Sequence, residues 1–326
     1  MGTDAFARSR DAGHGDDGAM RHRIPLPPSL GPCFSVRRAE HSGIGRTRLS
    51  SGELARPFDG VRALQHPETF AERVACFVPR LRPGQAFAGR TAARLWGLPL
   101  PMPWRIDEPV DVAVATGASP PRTAGVRGRR LSADRLTVCE IDGIPVLDPI
   151  ATVVVCAAEL APLQTAVIVE ASMTRAQNYP GLRGDRPPAT IAMIDRRLSE
   201  WGRFPGCGKV RAALELVREG SESPKETETR ILLGAFHLPE PVLQYTVRVD
   251  GRFVARVDLA YPQWRIAIEY EGDGHRTDRE QWRTDIRRQR DLEDHGWIVI
   301  RVTQLDLADG GAALAFRVRR AISSRR

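Results

Sequence analysis

Lysine, long apolar runs and closely spaced cysteine pairs are scarce or absent in this 326-residue sequence. Lysine occurs only at Lys209 and Lys225, so arginine carries almost all of the positive charge. No apolar run approaches the ~20 residues that a helix needs to cross a bilayer. Residues 1–23 also lack the apolar segment of a secretory signal. We therefore expect a soluble, cytoplasmic protein with no membrane partner.

The five cysteines are odd in number and far apart, and no two of them form a CxxC pair. They are Cys33, Cys76, Cys139, Cys156 and Cys207. This pattern argues against a disulfide framework and against a zinc site. We expect reduced thiols, several of them buried.

The formal charge of +8 and the pI of about 9.8 indicate an anionic partner. Nucleic acid is a better candidate than a membrane surface, because no basic amphipathic helix stands beside an apolar anchor. The arginine bias has a second explanation, since a GC-rich genome produces the same composition. With 42% hydrophobic and 27% charged residues, the chain is globular in composition and long enough for about two or three domains.

The N-terminal part contains two kinds of sequence. Residues 1–32 are rich in Gly, Asp, Arg and Pro, which predicts a disordered leader. Residues 33–66 predict a short helix, a turn at Ser42-Gly43, a second helix with Arg46 and Arg48, and a short strand. This order is typical of a small winged helix-turn-helix in which the two arginines contact DNA. A pair of ordinary surface helices explains the same spacing.

Residues 67–205 mix helical segments such as GRTAARLWGLPLP with strand-like runs such as PVDVAVAT, and they predict an α/β middle domain. They contain no cluster of titratable groups at motif spacing. Trp96 and Trp104 stand near prolines, either as a binding surface or, in the interpretation we favour, packed in the core. A glycine-rich break near Gly206 marks the start of the last domain, residues 206–326.

The last domain begins with a strong helix signal, because Ser223 is a good N-cap, Pro224 suits the first helical position and Glu226 completes a capping box. A three-stranded antiparallel meander follows, with turns at Asp250-Gly251 and Pro262-Gln263-Trp264. An arginine-rich helix, a strand and a closing helix complete the order α-β-β-β-α-β-α.

Three carboxylates of the meander fall on one face of the sheet in this prediction. If the second turn is centred between Gln263 and Trp264, Asp258 lies opposite Glu269, and alternation places Glu271 on the same side. The opposite face then carries the apolar residues Val257, Leu259, Tyr261, Ile266, Ile268 and Tyr270. Clustered carboxylates repel unless a cation compensates them, and oxygen ligands of this kind suit Mg²⁺ or Mn²⁺. Such an ion activates water against a phosphodiester, which is nuclease chemistry.

The arginine-rich helix supplies candidate phosphate contacts at Arg279, Arg283 and Arg287. Carboxylates on the same helix offer pairing at helical spacing as an alternative use of this charge.

An acidic residue in the first helix, Asp on the second strand and Glu on the third resemble the PD-(D/E)XK nuclease superfamily. The segments SPKETETR, RVDLAYPQWRIAIEYEGDGH and DIRRQRDLEDHGWIVIRVTQLDL, within residues 221–322, resemble a family of bacterial proteins related to very-short-patch repair endonucleases. The resemblance implies a restriction-endonuclease-like core, with a mixed sheet flanked by helices. It also implies that Asp258 is the principal metal ligand, Glu269 the second, and Glu226 the acidic group of the first helix.

This chain departs from the superfamily pattern at Glu271, which stands where a lysine is usual. We expect Glu271 to share or tune the metal. His275, shortly beyond the third strand, is the expected general acid or base, as in the mismatch-repair relatives. The five predicted catalytic residues are Glu226, Asp258, Glu269, Glu271 and His275.

The N-terminal part resembles the AbiEi-type antitoxin architecture, a winged helix followed by an α/β domain, in RPFDGVRAL and GRTAARLWGLPLP. Two hypotheses follow from the two resemblances. The first is a Mg²⁺-dependent DNA endonuclease, or a DNA-binding protein derived from one. The second is an antitoxin-type transcriptional regulator with an inactive nuclease-like domain and a cognate toxin as partner. A protein-interaction module is a third possibility.

Overall fold

The computed structural model describes residues 25–272 and 279–326, with side chains described at 25–272 and 283–326. In these residues the strands form three sheets, and helices connect them. Two of these sheets contain both parallel and antiparallel pairs, and helices flank them. The predicted mixed α/β class is therefore confirmed.

The N-terminal region folds as a strand, two short helices and a second strand. These elements are β1 (Cys33–Ser35), α1 (Val36–His41), α2 (Arg46–Leu49) and β2 (Val61–Ala63). The Ser35 side chain accepts the Arg38 backbone N–H and so caps α1. β1 and β2 pair antiparallel, and Leu30, Phe34 and Leu49 form part of a small separate core. The predicted order of helix, turn, helix and strand is confirmed.

The middle region builds a five-stranded mixed sheet in the order β5-β4-β3-β7-β6. Its strands are β3 (Gln85–Phe87), β4 (Val110–Ala115), β5 (Val126–Leu131), β6 (Val138–Ile141) and β7 (Ile144–Leu147). Its helices are α3 (Phe70–Phe77), α4 (Gly89–Trp96), α5 (Pro149–Ala157), α6 (Pro162–Met173), α7 (Ile191–Trp201) and α8 (Cys207–Leu214). Helix α5 is buried along its whole length and lies at the centre of the largest apolar core.

Trp96 and Trp104, the tryptophans that stand near prolines, both pack against other residues of the fold, as favoured from the sequence. Trp96 is 2% exposed, and its indole N–H donates to the backbone oxygen of Leu147 at 2.8 Å. Trp104 packs edge-on against Phe70, with 6.2 Å between ring centroids. The buried indole and its hydrogen bond fix the end of α4 against β7.

The C-terminal region builds a four-stranded sheet in the order β11-β10-β9-β8. Its strands are β8 (Val242–Val249), β9 (Arg252–Tyr261), β10 (Ile266–Tyr270) and β11 (Ile298–Val302). Its helices are α9 (Pro224–Ala235), α10 (Arg279–Asp294), α11 (Gln304–Ala308) and α12 (Ala312–Ser323). The predicted order is confirmed, with the short α11 as an addition. Only β10 and β11 run parallel, because α10 forms the crossover between them.

Apolar clusters cover both faces of this sheet. On one face, Leu233 of α9 and Leu314 of α12 pack with Leu259 and Ile268. On the other face, Leu292 of α10 packs with Val257 and neighbouring residues. The sheet is therefore a central layer between helices.

The expectation that all five cysteines are free is wrong for Cys33 and Cys76, which form a disulfide between β1 and α3. Their Cα atoms lie 5.1 Å apart, although 43 positions separate the residues in the chain. No local motif marks this pair, because only the packing of β1 against α3 brings the two residues together. Cys156 and Cys207 are free and buried, as expected.

Among the helices in the described ranges 25–272 and 279–326, none combines the length and the apolar character needed to cross a membrane.

Candidate functional site

The second turn of the meander sets the predicted carboxylate register. Ile266 pairs with Tyr261, and Ile268 pairs with Leu259. The next position in the same register places Asp258 opposite Glu269. The predicted register of the turn is confirmed as far as Ile268 and Leu259, and the charge of Asp258 raises the pKa of Glu269, so the two carboxylates lie near each other.

The predicted alternation of β9 is wrong on one side of Asp258. Val257 and Leu259 were expected on one face, but they belong to apolar clusters on opposite faces of the sheet. On the neighbouring strand, Gln244 has φ +49° and lies between the residues of β8 that pair with Leu259 and Val257. Asp258 therefore lies where the sheet switches faces, so groups from α9 and from α10 can approach it.

Asp258 is held at this switch by the β10 backbone, because its Oδ2 accepts the Tyr270 N–H at 2.9 Å. Burial raises the pKa of Asp258, and the charge of Glu222 raises it further. The Tyr270 hydrogen bond and the charges of Arg288 and Arg256 oppose this shift. A partly buried carboxylate with one backbone donor retains acceptor capacity for a further ligand.

Glu226 lies at the start of α9 and is 5% exposed. The Ser223 side chain accepts the Glu226 N–H at 3.2 Å, so the N-cap is confirmed. The Glu226 carboxylate makes a different contact from the one a capping box requires, since it accepts the Glu222 N–H at 2.9 Å and the Gln244 amide at 2.8 Å. Burial, together with the charge of Asp258, raises the pKa of Glu226 to about 7. Helix capping therefore does not account for this side chain.

Glu269 is 7% exposed and contacts α10 through Arg288, whose guanidinium donates to its Oε2 at 3.0 Å. Its Oε1 is buried without a hydrogen-bond partner among the described residues. Burial raises the pKa of Glu269, the charge of Asp258 raises it further, and the charge of Arg288 opposes both. An orphaned carboxylate oxygen in the interior is costly unless a cation or water meets it.

Glu271 pairs with Arg301 of β11 at 3.1 Å. The same guanidinium donates to Gln289 of α10 at 3.1 Å, and Arg301 lies opposite Glu269 in the parallel register. The position where a lysine is usual thus holds a carboxylate, and the positive charge comes from the neighbouring strand. Sequence reasoning missed Arg301, although an arginine within the apolar strand WIVIRV was a signal.

The structure brings Glu226, Asp258 and Glu269 into electrostatic contact, since the charge of Asp258 raises the pKa of both glutamates. Among the described residues, however, no three His, Cys, Asp or Glu side chains are arranged as ligands of one metal ion. The arginines on Glu269 and Glu271 already neutralise part of the cluster. His275 lies outside the described residues, so its predicted role stays a prediction.

The arginines that were predicted to contact DNA differ in side-chain exposure and in ion pairing. The Arg46 side chain is 91% exposed and lies 3.3 Å from Glu40, whereas Arg48 is 27% exposed and pairs with Glu53. Arg283 and Arg287 are exposed on α10. The Arg279 side chain lies outside the described residues.

Helix α9, which carries Glu226, is anchored to the middle region by a buried polar network. Arg230 of α9 forms an ion pair with Glu170 of α6 at 2.5 Å. Thr227 donates to Glu170 at 2.6 Å, and the Arg218 backbone N–H donates to it at 2.7 Å. These contacts fix the first turns of α9 relative to α6.

Two curated relatives align with this chain over 277 residues at 27% identity, covering 84% of this chain and 94% of each relative. They are "Uncharacterized protein MT2308" of Mycobacterium tuberculosis strain CDC 1551 / Oshkosh and "Uncharacterized protein Rv2248" of strain ATCC 25618 / H37Rv. No protein-family model matches the chain. No solved structure matches it either.

Proposed function

We propose that the C-terminal region is a divalent-metal-dependent DNA endonuclease, built on a restriction-endonuclease-like core. The observation that carries this proposal is the meeting of Glu226, Asp258 and Glu269 from α9, β9 and β10, each with its pKa raised mainly by burial. Grouped buried carboxylates are destabilising on their own, and proteins retain them where they bind a cation or transfer protons.

The chemistry of the donors fits Mg²⁺ or Mn²⁺. Both ions prefer carboxylate oxygens, and Glu269 offers a buried Oε1 with no partner among the described residues. Asp258 and Glu269 would hold the metal, Glu226 would complete the ligand set or position a water, and Glu271 would tune the charge. When bound, such an ion supplies Lewis-acid polarisation of the phosphodiester and lowers the pKa of a coordinated water.

The arginines around the carboxylates support a phosphate-bearing substrate. Arg288 and Arg301 place guanidinium groups beside Glu269 and Glu271, where they can stabilise negative charge that develops on a phosphate. Arg283 and Arg287 are exposed on the same helix as Arg288 and in this proposal would bind backbone phosphates. In this proposal Arg301 supplies the positive charge that a lysine provides elsewhere, and His275 remains the predicted proton-transfer group.

Plasmid cleavage tests the enzymatic proposal. The purified protein, incubated with supercoiled plasmid and Mg²⁺ or Mn²⁺, is expected to nick or linearise the DNA, and EDTA is expected to abolish cleavage. Asp258→Asn removes the central carboxylate charge with little change of shape, while Asp250→Asn in the β8–β9 turn is the matched control. Equal cleavage by wild type and Asp258→Asn rules out this site as the catalytic centre.

A DNA-binding regulator of the antitoxin type is the second candidate. The pairing of Glu271 with Arg301 favours it, because the expected lysine position then contributes no free positive charge. The exposed Arg46 on the second helix of the N-terminal region favours it as well. Mobility shifts on the protein's own promoter DNA, compared between wild type and Arg46→Gln, test this candidate. Unchanged binding would exclude Arg46 as a DNA contact.

A further inference from the structure

A small cavity of about 160 Å³ lies in the middle region, at the end of the sheet where β3 begins. The turn Val78–Arg80 and the loop 116–125 form its walls together with β3. Its polar lining consists of Arg80, Arg82, Gln85, Ser119, Arg122 and Thr123. Its volume is about ten times the minimum needed by one water molecule, so it can hold a small polyatomic anion.

The lining carries three positive charges and, among the described residues, no carboxylate. Several other arginines of the middle region form ion pairs, as Arg94 does with Glu108 at 2.8 Å. In contrast, Arg80, Arg82 and Arg122 form no ion pair and no side-chain hydrogen bond within residues 25–272 and 283–326. Three unpaired guanidinium groups around one cavity repel each other unless an anion joins them.

Neutral donors accompany the three arginines. Gln85 is 7% exposed, and its Oε1 accepts the Arg82 N–H at 3.1 Å. This contact leaves the Gln85 NH₂ group without a protein partner in the described part of the chain, and Gln85 lines the cavity. Thr123 also lines the cavity, but its hydroxyl donates to Asp59 at 3.1 Å, so this proton is not available to a ligand.

The wall formed by Pro120 and Pro121 is held rigidly against β5. A Cβ atom at Gly128 would lie 2.6 Å from the Pro120 Cβ and 2.9 Å from the Pro121 backbone oxygen. Only glycine allows this close approach, so the loop and its Arg122 are fixed relative to the sheet. On the opposite side, the Arg80 side chain packs against Gly60, the residue just before β2. A Cβ atom at Gly60 would lie 3.1 Å from Nη1 of Arg80. The cavity therefore borders the N-terminal region.

We propose that this cavity binds a phosphate group. Planar guanidinium forks match tetrahedral phosphate oxygens, and the Gln85 NH₂ group and the Ser119 hydroxyl add neutral donors to the lining. The phosphate belongs either to a nucleic-acid backbone or to a free phosphorylated molecule, and both sources present the same chemistry. This site is separate from Glu226, Asp258 and Glu269 and does not depend on the proposed nuclease activity.

Phosphate binding and DNA binding by the full-length protein test the proposal together. ³¹P NMR titration measures binding of inorganic phosphate, and fluorescence anisotropy at several salt concentrations measures binding of a short DNA duplex. Arg80→Gln and Arg122→Gln each remove one charge from the cavity, and Arg252→Gln, at the exposed start of β9, is the charge-matched control. Gly128→Ala displaces the wall without changing any charge. Circular dichroism checks that each variant is folded.

The expected result is about a tenfold loss of phosphate affinity in Arg80→Gln, Arg122→Gln and Gly128→Ala, with Arg252→Gln unchanged. If DNA binding also weakens and its salt slope falls by about one per arginine removed, the phosphate comes from the nucleic-acid backbone. If DNA binding is unchanged, the ligand is a free phosphorylated molecule. If wild type does not bind phosphate, or if the cavity variants bind it as wild type does, the proposal is overturned. Arg122 lies on an exposed loop, so its variant keeps the test available if Arg80→Gln fails to fold.

Discussion

Glu170 and Arg230 form an ion pair between α6 and α9 in which both side chains are almost fully buried, at 1% and 4% exposure. Thr227 and the Arg218 backbone N–H complete the hydrogen bonds of the Glu170 carboxylate. A buried ion pair of this kind adds little to the free energy of unfolding, because desolvation offsets most of the attraction. Its main effect is to fix the relative position of the two helices. The pair therefore fixes α9, and with it Glu226, against the middle region.

Removing one member of this pair is expected to destabilise the protein strongly. Arg230→Leu leaves the Glu170 charge buried without its partner, which costs about 3–5 kcal/mol in the free energy of unfolding. Lys225→Met is the matched control on the same helix. Its pair with Glu228 is partly exposed, at 30% and 19%, and such pairs contribute about 0–1 kcal/mol. Urea unfolding measures both values, and equal effects of the two substitutions would contradict the buried network.

The metal-free protein is expected to lose stability as pH rises from about 4.5 to about 7. Burial raises the pKa of Glu226 from 4.5 to about 7, so in this window the folded protein keeps a proton that the unfolded chain has lost. The contribution of this proton is fully present below pH 4.5 and is lost as pH rises through 7. The contribution of this proton to the free energy of unfolding is roughly 3 kcal/mol. The raised pKa values of Asp258 and Glu269 act in the same direction.

Urea unfolding in EDTA across this pH range measures the effect. Glu226→Gln removes the titrating group but keeps an acceptor for the Glu222 N–H, so its stability is expected to depend less on pH. Glu228→Gln, on the same helix, is the control and should follow wild type. A pH dependence that is identical in wild type and Glu226→Gln would show that Glu226 does not titrate in this window.

Divalent metal is expected to stabilise the folded protein through the carboxylate cluster. At about 100 times the dissociation constant, a ligand that binds only the folded state adds about 2.7 kcal/mol. Thermal unfolding with increasing Mn²⁺ is expected to show a rising Tm for wild type and a constant Tm for Asp258→Asn. Calorimetry on the same two proteins gives the stoichiometry. A similar rise of Tm in both proteins would place metal binding elsewhere.

Reduction of the disulfide is expected to loosen the N-terminal region from the middle region. Cys33 and Cys76 close a loop across a separation of 43 positions. Closing a loop of this length lowers the conformational entropy of the unfolded chain and so stabilises the folded protein by about 4 kcal/mol. Peptide mapping of the oxidised protein should recover the Cys33 and Cys76 peptides joined. Urea unfolding with and without reductant measures the stability difference, and Cys139→Ser, at a free thiol, is the control. A map without the joined peptide would rule the bond out.

The helices and the meander follow from local sequence rules. Ser223 and Pro224 start α9 because a hydroxyl N-cap and a proline at the first helical position satisfy the helix terminus from within a few residues. Asp250 and Gly251, with φ +50° and +76°, make the hairpin turn for the same local reason. The facing of Asp258 and Glu269 could be predicted because the length of one short turn determines it.

Contacts between distant residues could not be predicted from the same patterns. Val257 and Leu259 belong to clusters on opposite faces of the sheet, next to the left-handed Gln244 of β8, and nothing in the sequence of β9 predicts this change. The partners of the carboxylates come from elements remote in the chain, as Arg288 does for Glu269 and Arg301 for Glu271. The choice between a metal ligand and an ion-pair partner depends on these contacts.

The sequence by itself determined the order of the C-terminal elements, their caps and turns, and the register that sets Asp258 against Glu269, since each depends on residues a few positions apart. The tertiary structure alone decided the Cys33–Cys76 bond, the Glu170–Arg230 pair and the arrangement of arginines around the carboxylates. Each of these joins residues from separate elements. Their proximity results from the packing of buried apolar surfaces, and no short sequence pattern records that packing.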